Sequence, residues 1–330
     1  MKPSRRKGNI SMATPAISAS PSRPKPIKPI RINNLQSLLA GPALLFPKFP
    51  YIFFYWSTLV TIFLTVILAP FAAKLDRSYL TRNFESSTIK AIVSIGQNLI
   101  LDPYIWQPVS VILLAVLAYN IAKALHYNKI QAFLISLSPI ILLGLSFVYV
   151  NFILKPGFDY PRPTGYSYLS EAPFTRSIHS MITIDGGTPS SLVVQQMVVM
   201  MTTFLYIGHP SLALKKQYRW LIKGISVLMV VVVAFQRIAV NAHTLFDVVF
   251  AIASGSMVFW VLYVAPYSIF RKNGAPRAVA NMYLVFVALM IFYSKNPYIL
   301  LVSSLAIILV LLVLDRVSNF MGFTMADVNS

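Results

Sequence analysis

The chain contains no cysteine. That absence excludes structural disulfides, thiolate catalysis and cysteine-ligated metal. Charge is nearly as scarce, at 11% of the 330 residues, where a soluble domain carries about 25%. Acids are the scarcest of all, with 9 Asp and Glu against 28 Lys and Arg. A water-soluble globule of this size could not cover its surface with so little charge. Hydrophobic residues make up 57% of the chain. The same figures exclude disordered and fibrous classes, and a membrane protein remains.

A net charge of +19 raises the question of nucleic acid. Its distribution points elsewhere. Residues 1–50 hold nine basic side chains (Lys2, Arg5, Arg6, Lys7, Arg23, Lys25, Lys28, Arg31 and Lys48) and no acid. This segment is also rich in Pro and Ser. It reads as a disordered basic cytoplasmic tail lying near anionic lipid headgroups. No aromatic-interleaved basic domain accompanies it, so no nucleic-acid partner is expected. The first long apolar run begins near Tyr51, too late for a cleaved signal peptide.

A bilayer-spanning helix needs roughly 20 mostly apolar residues. Eight stretches qualify: about 51–73, 107–125, 131–154, 190–208, 219–236, 244–266, 277–294 and 298–315. The shorter apolar stretch 88–101 reads as an amphipathic segment on the membrane surface. Only Lys295, Asn296 and Pro297 separate the last two spans, which predicts a tight C-terminal hairpin in residues 267–330. The expected fold is therefore an all-α polytopic transmembrane bundle of about eight spans. The Lys/Arg bias of the tail puts both termini in the cytoplasm. Loop 155–189 and the turns near 237–243 and 295–297 then share the opposite face.

Three clusters fall on that face. The first is Lys155, six residues, then Arg162-Pro163. The second is Thr188-Pro189-Ser190-Ser191 at the opening of the fourth span. The third is Arg237, five residues, His243, three residues, Asp247. Arg forks match phosphate oxygens in pairs, and Lys acts as a point charge. Thr188 is expected as an N-cap and Pro189 as the first helical residue. The opening N–H groups of that helix would then receive an anion. The i, i+4 spacing lets Asp247 hold one nitrogen of His243 and leave the other free to attack. A carboxylate inside a span is costly, so Asp247 implies a partner and a role.

This arrangement resembles the type 2 phosphatidic acid phosphatase (PAP2) superfamily of membrane lipid phosphatases and phosphotransferases. Its pattern is Lys-x6-Arg-Pro, then Pro-Ser-Gly-His, then Ser-Arg-x5-His-x3-Asp. The resemblance covers about residues 131–266 and implies a six-span catalytic core over 51–266, with the C-terminal hairpin additional to it. It implies that Lys155, Arg162, Ser190 and Arg237 bind phosphate, with the Ser191 amide where the motif's Gly amide lies. His243 would be the nucleophile that forms a phosphohistidine, and Asp247 would orient it. That route needs no metal or cofactor.

Two positions depart from the pattern. Gln236 stands in place of the Ser before the Arg. Leu192 stands in place of the second histidine, which protonates the leaving group. Three readings of Leu192 stay open. Catalysis is lost and a phosphate pocket kept, giving a silent lipid-phosphate binder or transporter component. Another group supplies the proton, with His179 in the outer loop as the candidate. Or the substrate is a lipid diphosphate, whose phosphate leaving group needs little help. The resemblance implies an enzyme working at the extracytoplasmic face on a phosphorylated membrane lipid: undecaprenyl diphosphate, phosphatidylglycerol phosphate or a lipid A phosphate. A bacterial inner membrane with a periplasmic active site fits this topology.

Overall fold

Cap residues, more than hydropathy, set where the helices begin. The computed structural model describes residues 44–46, 51–79, 102–160, 162–163, 187–264 and 276–320, together with 91, 94–95, 97–98 and 173. Eight helices form the described part: α1 (Tyr51–Tyr79), α2 (Pro103–Ala124), α3 (Lys129–Phe158), α4 (Ser191–Ile207), α5 (Lys216–Ala239), α6 (Leu245–Phe259), α7 (Pro276–Tyr293) and α8 (Pro297–Phe320). There is no strand among the described residues. The all-α bundle expected from the sequence is the one observed.

Helix α2 starts a turn earlier than its apolar run because Asp102 caps it. The carboxylate accepts from the Tyr104 N–H at 3.1 Å, and Pro103 opens the helix without needing a donor. At the start of α3, Asn128 and Gln131 cap each other reciprocally, at 2.8 and 3.2 Å. Helix α3 is not uniform. A π-helical turn, Val150–Leu154, interrupts it just before Lys155, whose N–H donates back to Val150. The extra residue in that turn rotates the end of the helix and sets the direction in which Lys155 emerges.

Helices α4 and α6 form the centre. Every residue of α4 except Phe204 is buried. Gly255 on α6 lets the two helices close up, since a Cβ there would lie 2.9 Å from the Val194 carbonyl oxygen. The outer helices show lipid-facing stripes instead. Trp220, Leu221, Ile225, Leu228, Val231 and Phe235 are exposed along α5 at helical spacing. Among the described residues, five helical stretches are long and apolar enough to cross a membrane: Ile52–Lys74, Pro103–Ala124, Lys129–Phe158, Lys216–Ala239 and Leu245–Val264, where a second π-helical turn, Trp260–Val264, extends α6. Ser191–Ile207, Tyr283–Tyr293 and Pro297–Val313 are shorter apolar helices. The chain is an integral membrane protein.

One sequence expectation is corrected close to the N-terminus. Residues 1–50 read as a tail, yet Leu44, Leu45 and Phe46 are buried in the bundle. The Tyr127 hydroxyl donates to the Leu44 carbonyl at 3.3 Å. His209 Nε2 lies 2.8 Å from the Leu45 carbonyl, and Phe46 stacks on Tyr206 with ring centroids 5.5 Å apart. These contacts involve the α2–α3 and α4–α5 turns, at the end of the bundle away from Lys155. His209 is thus a buried structural residue. These three apolar side chains pack into the bundle although Pro and Lys residues neighbour them in the chain. The proposed surface segment 88–101 falls mostly outside the described residues.

Candidate functional site

The turn between α5 and α6 is a short, tightly bonded hinge. Helix α5 ends at Ala239, and Asn241 takes a left-handed conformation with φ of 54°. Asn is one of the few residues other than Gly that tolerate this. The Ala242 and His243 N–H groups both donate to the Arg237 carbonyl, at 3.0 and 3.2 Å. His243 is thereby held beside Arg237. Helix α6 then opens with a reciprocal cap. Asp247 N–H donates to Thr244 Oγ1 at 3.2 Å, and Thr244 N–H donates to Asp247 Oδ2 at 2.8 Å.

Asp247 therefore does three things. It caps α6, it accepts a hydrogen bond from the Thr188 hydroxyl at Oδ1, and it faces His243. His243 Nδ1 and Asp247 Oδ2 are 3.6 Å apart, within ion-pair range but longer than a hydrogen bond. Catalytic contacts of this kind tighten when substrate binds. Both side chains are buried. Burial pushes the His243 imidazole well below the ordinary histidine range. Asp247 pulls the other way, and the nearby positive charges of Arg237 and Arg162 add to the effect of burial. The ring is thus neutral near pH 7, and neutral is the form that can attack phosphorus.

The second cluster meets the third directly. Ser190 N–H points to the Asp247 carbonyl at 3.5 Å, and its buried Oγ has no hydrogen-bond partner in the described structure. Such a hydroxyl is costly unless something binds it. The expectation for Thr188 and Pro189 is corrected. The helix opens at Ser191, with Ser190 at the cap position, and Thr188 turns its hydroxyl to Asp247. The hydroxyl therefore donates to a carboxylate, where a cap would have used its oxygen to accept from a helix N–H. Ser191 is buried in the first turn of α4.

The first cluster adds two further basic residues, Lys155 and Arg162. Lys155 is buried where the π-turn ends, Arg162 is half-buried, and Arg237 is fully buried. The chain reverses at Asp159, whose φ is 50°. The Tyr160 carbonyl then accepts from the Gly187 N–H at 2.7 Å, which ties the first cluster to the approach of the second. Arg162 and Arg237 both act electrostatically on His243. His179 lies outside the described residues.

Leu192 is buried in the first turn of α4. The Gln107 side chain donates to its carbonyl oxygen at 2.8 Å. Neither this contact nor that of Thr188 was read from the sequence. Thr188 belongs to the second cluster, but its hydroxyl donates to a carboxylate instead of accepting from a helix N–H. Gln107 lies 85 positions away from Leu192, and spacing carries no signal over that distance.

Residues 134–271 match the family model of the PAP2 superfamily. The match includes Lys155, Arg162, Ser190, Ser191, Arg237, His243 and Asp247, and it ends before α7. No curated protein and no solved structure matches the chain.

Proposed function

Taking the PAP2-superfamily match over residues 134–271 as its premise, we propose that the protein is a lipid-phosphate phosphatase or phosphotransferase acting through a phosphohistidine. The observation that carries the reading is the buried His243–Asp247 pair beside Arg237 and Arg162. A protein that only bound phosphate would need the cations. It would have no use for a neutral imidazole steered by a carboxylate.

In this mechanism Asp247 faces Nδ1, so Nε2 attacks. Its lone pair forms a P–N bond in line as the P–O bond to the leaving group breaks. Lys155, Arg162 and Arg237, with the Ser190 hydroxyl and Ser191 amide, stabilise charge on the equatorial oxygens. The leaving group departs with its electron pair and takes a proton from water, since Leu192 offers none. Water, or the hydroxyl of an acceptor lipid or glycan, then attacks phosphorus. The P–N bond breaks and the neutral imidazole returns.

Leu192 bears on the substrate. General acid catalysis is worth about 10²–10⁴-fold. A lipid diphosphate expels a phosphate, a far better leaving group than an alkoxide, and misses the acid least. The proposed substrate is therefore a lipid diphosphate, with undecaprenyl diphosphate as its type. Phosphatidylglycerol phosphate and lipid A phosphates would turn over more slowly. The basic tail supports cytoplasmic termini and a site on the opposite face, which in a bacterial inner membrane is periplasmic.

Trapping the intermediate tests the mechanism. Purified protein mixed with radiolabelled lipid diphosphate and quenched in alkali should retain label that is stable to base and labile to acid. His243→Ala should retain none. Turnover with no trapped label, or label that persists in His243→Ala, would refute the phosphohistidine route. The competing reading, a silent lipid-phosphate binder, rests on Leu192 and expects binding without label or release.

A further inference from the structure

The C-terminal hairpin α7–α8 lies outside the family match, yet its tip is built into the site. The Lys295 and Asn296 N–H groups donate to the Phe158 and Gly157 carbonyls, at 3.3 and 3.0 Å. Those carbonyls belong to the last turn of α3, which a helix end leaves without internal donors. The hairpin thus caps the turn that presents Lys155. Tyr293, at the end of α7, packs on Phe246 and Phe250 of α6, with ring centroids 6.1 and 5.0 Å away. Its carbonyl accepts from the Tyr160 hydroxyl at 3.1 Å. The tip therefore touches both the first cluster and the helix that carries Asp247.

Lys295 is exposed, and its ammonium lies 4.8 Å from the centroid of the Tyr160 ring. That ring is anchored at both ends, by its hydroxyl to Tyr293 and by its backbone carbonyl to Gly187. The cation–π contact holds the charge over Tyr160, which stands two positions before Arg162 in the chain. No carboxylate lies within ion-pair distance of Lys295 among the described residues. Phe292 and Tyr298 flank it and are 80% and 77% exposed, as aromatic side chains are at headgroup depth. The charge therefore sits at the level where a lipid's phosphates lie.

We propose that Lys295 is a specificity-determining residue that binds the non-scissile phosphate of a lipid diphosphate. This inference rests on the phosphatase reading and deepens it. The scissile phosphate is met by Lys155, Arg162 and Arg237. A second phosphate outside that set needs another cation, and the hairpin supplies one. Lys suits the task because its flexible stem and compact charge follow a group whose position varies. The hairpin is then part of the substrate site rather than only an added anchor.

The experiment compares full-length wild type, Lys295→Met and Lys295→Arg on a polyprenyl diphosphate and the matching monophosphate in mixed micelles. Lys295→Met should lower kcat/KM for the diphosphate about tenfold, mostly through KM, with the monophosphate within about twofold. Lys295→Arg should recover most of the loss. Equal losses on both substrates would mean that the residue only supports the fold, and no loss on either would mean that it is a bystander. Both results overturn the proposal. If wild type hydrolyses neither lipid, the phosphatase reading fails separately. Binding of an uncleavable lipid methylenediphosphonate then decides: about tenfold weaker binding by Lys295→Met supports the proposal, and unchanged binding overturns it.

Discussion

The Thr188 hydroxyl donates a hydrogen bond to Asp247, the carboxylate that faces His243. Thr188 stands just before α4 and Asp247 in the first turn of α6, so this bond joins two of the three sequence clusters. A hydrogen bond to a charged group contributes about 1.5–3 kcal/mol. Thr188→Val should therefore lower kcat by about 10–100-fold, and Thr188→Ser should keep most of the activity. Steady-state kinetics on the two variants, with thermal melts to establish folding, check this. Asp247→Asn should cost more, because it removes the charge that faces His243.

The protonation state of His243 gives a second prediction. Burial, with Arg237 and Arg162, holds its folded pKa below the ordinary value of about 6.5. The neutral ring should thus persist as pH falls through 6.5. Imidazole resonances followed by NMR in the free protein should show His243 titrating well below this value. Linkage fixes the sign for stability. The unfolded chain binds this proton first, so this contribution to stability is full above about 6.5 and is lost as pH falls toward the folded pKa. A His243 that titrates near the ordinary value of about 6.5 would contradict the burial argument.

Packing of the two central helices predicts a contrast between glycines. A Cβ at Gly255 would meet the Val194 carbonyl and the Met197 side chain, and a backbone carbonyl cannot swing aside. Gly255→Ala should destabilise by about 1–3 kcal/mol, as overpacking does. Gly144 has nothing within 4 Å of its Cβ position, so Gly144→Ala should be neutral or slightly stabilising through helix propensity. Melting temperatures in one detergent compare the two.

Leu192 predicts a shift in substrate preference. Leu192→His places an imidazole in the first turn of α4, beside the site. Turnover of a lipid monophosphate should rise by about 10²-fold or more, within the range of general acid catalysis. Turnover of a diphosphate should change much less. Parallel assays of the two substrates read this ratio. An unchanged ratio would mean that the missing histidine does not set the preference.

The sequence made the helices and the three clusters legible for a simple reason. Apolar runs of bilayer length are a strong signal, and Arg237, His243 and Asp247 lie within one short hairpin where spacing fixes geometry. Contacts between distant elements were not legible. Gln107 reaches Leu192 and Lys295 reaches Phe158 only through tertiary packing, which leaves no periodic trace in the chain. The burial of Leu44–Phe46 was hidden for another reason, since three apolar residues beside prolines and lysines resemble a linker by composition. Thr188 and Pro189 had the composition of a cap. A carboxylate brought in by another helix made the hydroxyl a donor, a role that a cap does not use.

Phosphate release from a panel of lipid mono- and diphosphates, with His243→Ala beside wild type, tests the central claim most directly. The account predicts release from wild type, fastest with a diphosphate, and none above background from His243→Ala. Release that survives in His243→Ala, or no release from any lipid in the panel, would contradict it.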